Sequence, residues 1–224
     1  LNTGFERIFS LDGSEETEAT SATLGLEYLP SSNWKTTGRF EVRNTRGTDS
    51  FLKTLGLAYK MSPSWTLLSR NVLSITDAEN DQNDQTRNWM RLGLAYRDTN
   101  ANNWMLLTRY EIKYTEKGAE SQRTQQLVHL LSSHLHLQAS RSLMFSTRYA
   151  GKIVRDEFAG TINRAKAHLA ALRATKDLGK RFDVGLLGSM LVGDSFKSRS
   201  FALGGELGFR LTTNVWLSAG YNLS

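Results

Sequence analysis

Strict two-residue alternation, repeated hairpin after hairpin, narrows the folds open to this chain more than any other feature. The segment Leu24-Gly25-Leu26-Glu27-Tyr28 recurs as Leu55-Gly56-Leu57-Ala58-Tyr59 and as Leu92-Gly93-Leu94-Ala95-Tyr96, each followed by a short polar stretch and a tryptophan: Trp34, Trp65 and Trp104. Weaker copies continue at Leu143, Phe182 and Val215, and the steps from Trp65 to Trp104 and from Trp104 to Leu143 are both 39 residues. From Trp34 one parity reads Trp34, Thr36, Gly38, Phe40, Val42 and the other Lys35, Thr37, Arg39, Glu41, Arg43. The same split follows Trp104, Leu143 and Phe201. Apolar residues two apart line one face of a strand, whereas a helix needs spacings of three and four. Only the alanines of 165–175 suggest a helix, and the strands on either side outvote them.

The alternation predicts about twelve strands, near 21–29, 34–44, 50–60, 65–75, 86–97, 104–115, 123–138, 142–155, 163–175, 181–192, 199–211 and 214–224, with residues 4–10 as the remains of one more. Each is long enough for the roughly 9–11 residues of a membrane-crossing strand. Tight turns at Pro30-Ser31-Ser32-Asn33, Ser62-Pro63-Ser64 and Ser140-Arg141 are expected at one rim, and longer polar links at the other, the most acidic running from Thr76 to Gln85. That asymmetry puts the short side in the periplasm. The chain has no cysteine and only two prolines among 224 residues, which removes disulfide scaffolds, thiolate metal sites and proline-rich linkers. It also has no apolar run near the roughly 18 residues of a membrane helix, a test that a barrel evades by hiding its apolar face in alternate positions.

Aromatic residues collect at the ends of the apolar rows. Trp34, Trp65 and Trp104 open one set of strands and Tyr28, Tyr59 and Tyr96 close the preceding ones, so all six are expected at the short-turn rim as an interfacial girdle. Phe51, Tyr110, Tyr114 and Tyr149 form a looser second belt. A soluble up-and-down sheet would give its core aromatics no reason to gather at strand ends.

The polar parity then faces the lumen. Arg39, Arg70, Arg109 and Arg148 each stand five residues after Trp34, Trp65, Trp104 and Leu143, which puts four guanidinium groups near one height. Glu41 and Glu111 follow two positions on, and Arg43, Lys113 and Lys152 two beyond that register, while Arg91 and Arg87 add positive charge from intervening strands. Gly25, Gly56, Ala58 and Gly93 leave room for long side chains. In one reading this ladder lowers the entry cost of small anionic solutes, as rings of charge do in pores. In the other, Arg39 and Arg109 pair with Glu41 and Glu111 and the network only stiffens the interior.

Other signals are weaker. His134 and His136 lack a third metal ligand, and Asp77, Glu79, Asp81 and Asp84 lack the glycine and distant glutamate of a calcium loop, so no metal and no cofactor are expected. Ser132 and Ser133 stand near His134 at a spacing poor for a triad, so no enzymatic activity is expected. The net charge of +6 does not point to nucleic acid, because the basic residues and the aromatics lie on opposite parities.

The tandem hairpins, the paired Trp and Tyr rows and the closing Trp216-Leu217-Ser218-Ala219-Gly220-Tyr221-Asn222-Leu223 resemble the carboxy-terminal β-barrels of Gram-negative outer-membrane proteins, particularly those that end large surface proteins. The resemblance implies an all-β, antiparallel up-and-down transmembrane β-barrel, one domain over residues 1–224, in contact with outer-membrane lipid and lipopolysaccharide and with further domains or chains of a surface assembly. In such families the Gly-Tyr-Asn segment precedes another hairpin with a terminal aromatic. This chain stops at Ser224, so it reads as truncated at both ends, with fourteen or more strands in the intact protein. The expected function is a passive pore or conduit with an arginine-lined lumen; the alternative is a membrane anchor with a filled lumen.

Overall fold

The computed structural model describes residues 2–8, 19–45, 47–79, 84–118, 123–194, 198–212 and 215–223. They form one 13-stranded sheet in which spatial order equals chain order and every described pairing is antiparallel. The strands are β1 (Asn2–Ile8), β2 (Ala19–Ser31), β3 (Trp34–Thr45), β4 (Thr48–Lys60), β5 (Trp65–Ala78), β6 (Gln85–Arg97), β7 (Trp104–Lys117), β8 (Thr124–Ser140), β9 (Leu143–Phe158), β10 (Thr161–Asp177), β11 (Phe182–Gly193), β12 (Ser198–Arg210) and β13 (Trp216–Leu223). The alanine-rich segment is strand β10, paired along its length with β9 and β11, so tertiary pairing overrides its helical propensity. Among the described residues β1 and β13 each have one neighbour, so the sheet has two free edges there.

No ordinary core supports this sheet. Val128 and Val192 are the only buried hydrophobic residues among those described, while Leu24, Leu55, Leu92, Leu131, Leu172 and Leu203 are exposed. A soluble monomer of this mass would expose about 10,300 Å², whereas this chain exposes 15981 Å². The exposed surface includes large apolar side chains on every strand from β2 to β13, which water would penalise at about 25 cal/mol per Å² of apolar area. Lipid accepts such side chains without penalty, which favours a membrane-embedded sheet over the soluble alternative.

The expected contrast between short and long links is corrected by the structure. At the rim where β3, β5, β7 and β9 begin, links run from two residues between Ser31 and Trp34 to six between Arg97 and Trp104. At the opposite rim two residues join Thr45 to Thr48 and Phe158 to Thr161, and four to six join the other pairs after β2. Segments expected as loops stay in the ladder instead, because their backbone groups find partners there: β5 runs on to Ala78, β9 to Phe158, and β10 starts at Thr161. Ala159 and Gly160 close β9 to β10 with φ of 47° and 78°, both left-handed, as a type I′ hairpin turn requires. The two rims therefore differ in their strands. Trp104 is the first residue of β7, whereas β9 continues nine residues beyond Tyr149 before it turns. Of the acidic link, Asp77, Glu79 and Asp84 are described, and Asp81 lies outside the described residues.

Candidate functional site

Pairing across an antiparallel ladder keeps partners on one face, so the register sorts side chains without ambiguity. Arg39 faces Gly25 and Thr54; Arg70 faces Gly56 and Arg91; Arg109 faces Gly93 and Ser132; Arg148 faces His134 and Ala171. Three of the four arginines thus lie opposite a glycine. Space at one of these is tight: a Cβ on Gly56 would stand 2.6 Å from Thr37 Oγ1.

The register also gives the tilt of the strands. The hydrogen-bonded row through Arg39 passes Thr54, Val72, Trp89, Lys113 and Val128 and reaches β9 at Val154, six residues beyond Arg148, after six strand steps. A slip of one residue per strand, at about 3.3 Å per residue and about 4.8 Å between strands, corresponds to a tilt of about 35°. Strands tilted in this way bring the four arginines back to one level above the rim, about 12 Å apart from one to the next.

The polar face is concave. One hollow of about 1050 Å³ touches seven consecutive strands, from Thr66 on β5 to Leu187 and Ser189 on β11. A hollow lined from seven neighbouring strands of one sheet lies on that sheet's concave side. Arg109, Arg148 and Arg173 line it with Ser132, His134 and His136. The His136 ring shares a 2.9 Å hydrogen bond with Ser146. A second hollow of about 400 Å³ lies between Arg70, Arg91 and Arg109, over the small residues Gly56, Ala58 and Gly93.

Charges on this face are shared unequally. Arg39 Nη2 donates to Glu41 Oε2 at 2.8 Å, and Arg43 reaches the other oxygen at 3.4 Å. Glu111, only 2% exposed, gathers Arg109 Nε at 2.8 Å, Arg91 Nε at 3.5 Å and Lys113 Nζ at 3.6 Å. Trp89 Nε1 donates to Glu111 at 2.9 Å, and the Trp89 ring stacks beneath Arg91 and Lys113 at 4.3 and 4.4 Å. Three cations around one carboxylate leave this cluster with a positive excess. Arg70, Arg148 and Lys152 have no ion pair among the described residues. Trp89 is the participant that sequence reasoning missed. Its signal was an aromatic on the charged parity, between Arg87 and Arg91. Arg173, held by Glu206 at 2.6 Å, was missed too, because β10 carries mostly alanine on that face.

The rim aromatics sit on the other face. Trp34 lies 5.1 Å from Tyr59, Trp65 lies 4.7 Å from Tyr96, and Tyr96 stacks on Trp104 at 4.1 Å. Trp34, Trp104, Tyr28 and Tyr59 are exposed, and Trp65 and Tyr96 half-buried against one another, so the six face away from the hollow as an outward belt.

No protein-family model matches the chain, and no curated protein matches it. Solved structures do. The siderophore receptor PirA from Pseudomonas aeruginosa superimposes over 97% of this chain with a TM-score of 0.77 at 10% identity. The ferric-catecholate import receptor Fiu from E. coli K12 follows over 92% with 0.66 at 7% identity, and the ferric citrate transporter FecA over 98% with 0.58 at 10%. The chain spans 41%, 52% and 43% of those proteins. At such identities the fold is what is shared, and it is the fold of outer-membrane β-barrels. That fold and an exposed apolar belt edged by aromatics belong together in a Gram-negative outer membrane.

Proposed function

We propose that the chain forms the wall of an outer-membrane pore or conduit whose positively biased lumen favours small anionic solutes. The observation that carries this reading is the pairing pattern of the ladder: Arg70 and Arg148 stand at the level of Arg39 and Arg109 without an ion pair among the described residues. A guanidinium free of an internal partner attracts anions and repels cations where the dielectric is low. At about 12 Å from one to the next, the arginines are too far apart to clamp one small ion and close enough to pass it along. The fold is one on which siderophore receptors and a ferric citrate transporter are built, so larger solutes belong in the same experiment.

A second reading, the membrane anchor of a larger surface protein, is favoured by the Glu111 cluster, which fills space and ties β6 to β7. Single-channel conductance of the intact protein in planar bilayers, with the reversal potential read under a salt gradient, separates the two. Anion-selective current that loses its selectivity when Arg39, Arg70, Arg109 and Arg148 are all changed to Ala is the expected result. A silent bilayer despite confirmed insertion establishes the anchor.

A further inference from the structure

The outward face of β8 to β10 departs from the pattern of the rest of the sheet. Along β10 the outward parity reads Ile162, Arg164, Lys166, His168 before it turns apolar at Ala170, Leu172 and Ala174, while the inward parity reads Ala165, Ala167, Leu169, Ala171. The upper edge of the lipid belt is marked by two Tyr–His pairs that repeat one hairpin apart. Tyr110 Oη lies 2.7 Å from His129 Nδ1, and Tyr149 Oη lies 3.0 Å from His168 Nδ1.

Just beyond that edge, Arg164 is directly opposite Arg155 in the ladder, and Lys166 follows two residues along on the same face, opposite Ile153. Like charges set opposite each other in an antiparallel pair destabilise it. Arg155 has Glu157 at 3.2 Å as a partial remedy, and Arg164 and Lys166 have no ion pair among the described residues. Their neighbours Ile153 and Ile162 are exposed on the lipid-facing side. At about 35° of tilt Lys166 and Arg164 stand about 5 and about 11 Å above His168, which spans the headgroup layer of about 5–8 Å that flanks the hydrocarbon. Their long stems reach along the apolar surface while the charges stay at the headgroups.

We propose that Arg155, Arg164 and Lys166 form a binding site for the phosphates of the outer-leaflet glycolipid, the phosphorylated lipid A moiety of lipopolysaccharide. The overhang of β9 and β10 beyond Tyr149 marks this rim as the outer side, because outer-membrane barrels project farther outside than into the periplasm. A lipid with more than one phosphate meets three cations at adjacent ladder positions on one face better than a phospholipid with one, since charge-assisted hydrogen bonds to guanidinium are individually strong and here would be several. The site lies on the opposite face from the hollow, so it stands whether or not the lumen conducts.

The test is native mass spectrometry of the intact protein in detergent, titrated with bis-phosphorylated lipid A, with dephosphorylated lipid A, or with phosphatidylglycerol. Wild type is expected to retain bis-phosphorylated lipid A at least tenfold more tightly than either of the other two, a comparison that needs no variant. The double variant Arg164→Gln with Lys166→Gln is expected to lose that tenfold preference, while Arg164→Lys keeps most of it. Equal retention of dephosphorylated lipid A overturns the phosphate site, and equal retention of phosphatidylglycerol overturns the assignment to the outer-leaflet glycolipid. A double variant that folds, as judged by heat-modified gel mobility, and still retains lipid A like wild type overturns the choice of residues.

Discussion

Glu111 shows what a single side chain can hold in a wall without a core. It is nearly sealed from solvent and touches three cations and the Trp89 N–H, so it is the point where β6 and β7 are tied electrostatically. Replacing it with isosteric Gln keeps the tryptophan bond and leaves Arg91, Arg109 and Lys113 facing one another. Breaking a buried pair costs about 3–5 kcal/mol; the cations here are 31–43% exposed and partly screened, so we expect a loss of about 1–3 kcal/mol in urea unfolding from vesicles. The same variant should raise anion preference in bilayers. At the rim, Asp98 accepts hydrogen bonds from the backbone N–H of Ala101, Asn103 and Asn100, and these hold its carboxyl below the usual carboxylate range. A folded-state value lower than the unfolded one contributes stability that is present above the unfolded pKa of about 3.9 and is lost as pH falls through the folded value. The protection of the amides in the 98–103 turn, measured against the intrinsic exchange rate at each pH, should therefore fall as the medium is acidified past that point, and Asp98→Asn should remove that pH dependence.

At the scale of elements, the starts of β3, β5, β7 and β9 at Trp34, Trp65, Trp104 and Leu143 were legible, because each joins a turn signal to the first residue of an alternating run. The far ends were not. Polar residues on both faces read as a loop in sequence, and only the presence of a partner strand shows that their backbone stays in the ladder. The belt height that follows can be checked by charge. Leu172 and Ile162 both point outward on β10, below and above the Tyr149 edge respectively. Leu172→Arg should cost about 2–4 kcal/mol and Ile162→Arg about 0–1, since the penalty for a lipid-facing arginine depends on depth. Equal costs in vesicle unfolding would mean that the belt is misplaced.

For the whole molecule, the charge field of the concave face is the quantity that function depends on. Salt screens charges over about 10 Å at 0.1 M and about 3 Å at 1 M. Arginines about 12 Å apart should therefore give an anion preference that weakens steeply between those concentrations, read as a shrinking reversal potential at a fixed salt ratio. The sequence by itself determined that the chain is a β-wall with one apolar and one charged side, because period-two alternation is the repeat of a strand, and it pointed to lipid because aromatics gather at the ends of the apolar rows. It also set four arginines at the same offset from their strand starts and put Gly25, Gly56 and Gly93 on the polar parity of the intervening strands, since both follow from counting along strands whose starts are marked. That Arg39 and Arg109 have a carboxylate two residues on, and Arg70 and Arg148 do not, was legible too, whereas only the tertiary structure brought Arg91 from the neighbouring strand to Glu111. It alone decided the tilt, the curl around the hollow, the place of Trp89 under Arg91 and Lys113, and the placing of Arg155 opposite Arg164 beside Lys166, for the physical reason that register between strands is a long-range property that no single strand encodes.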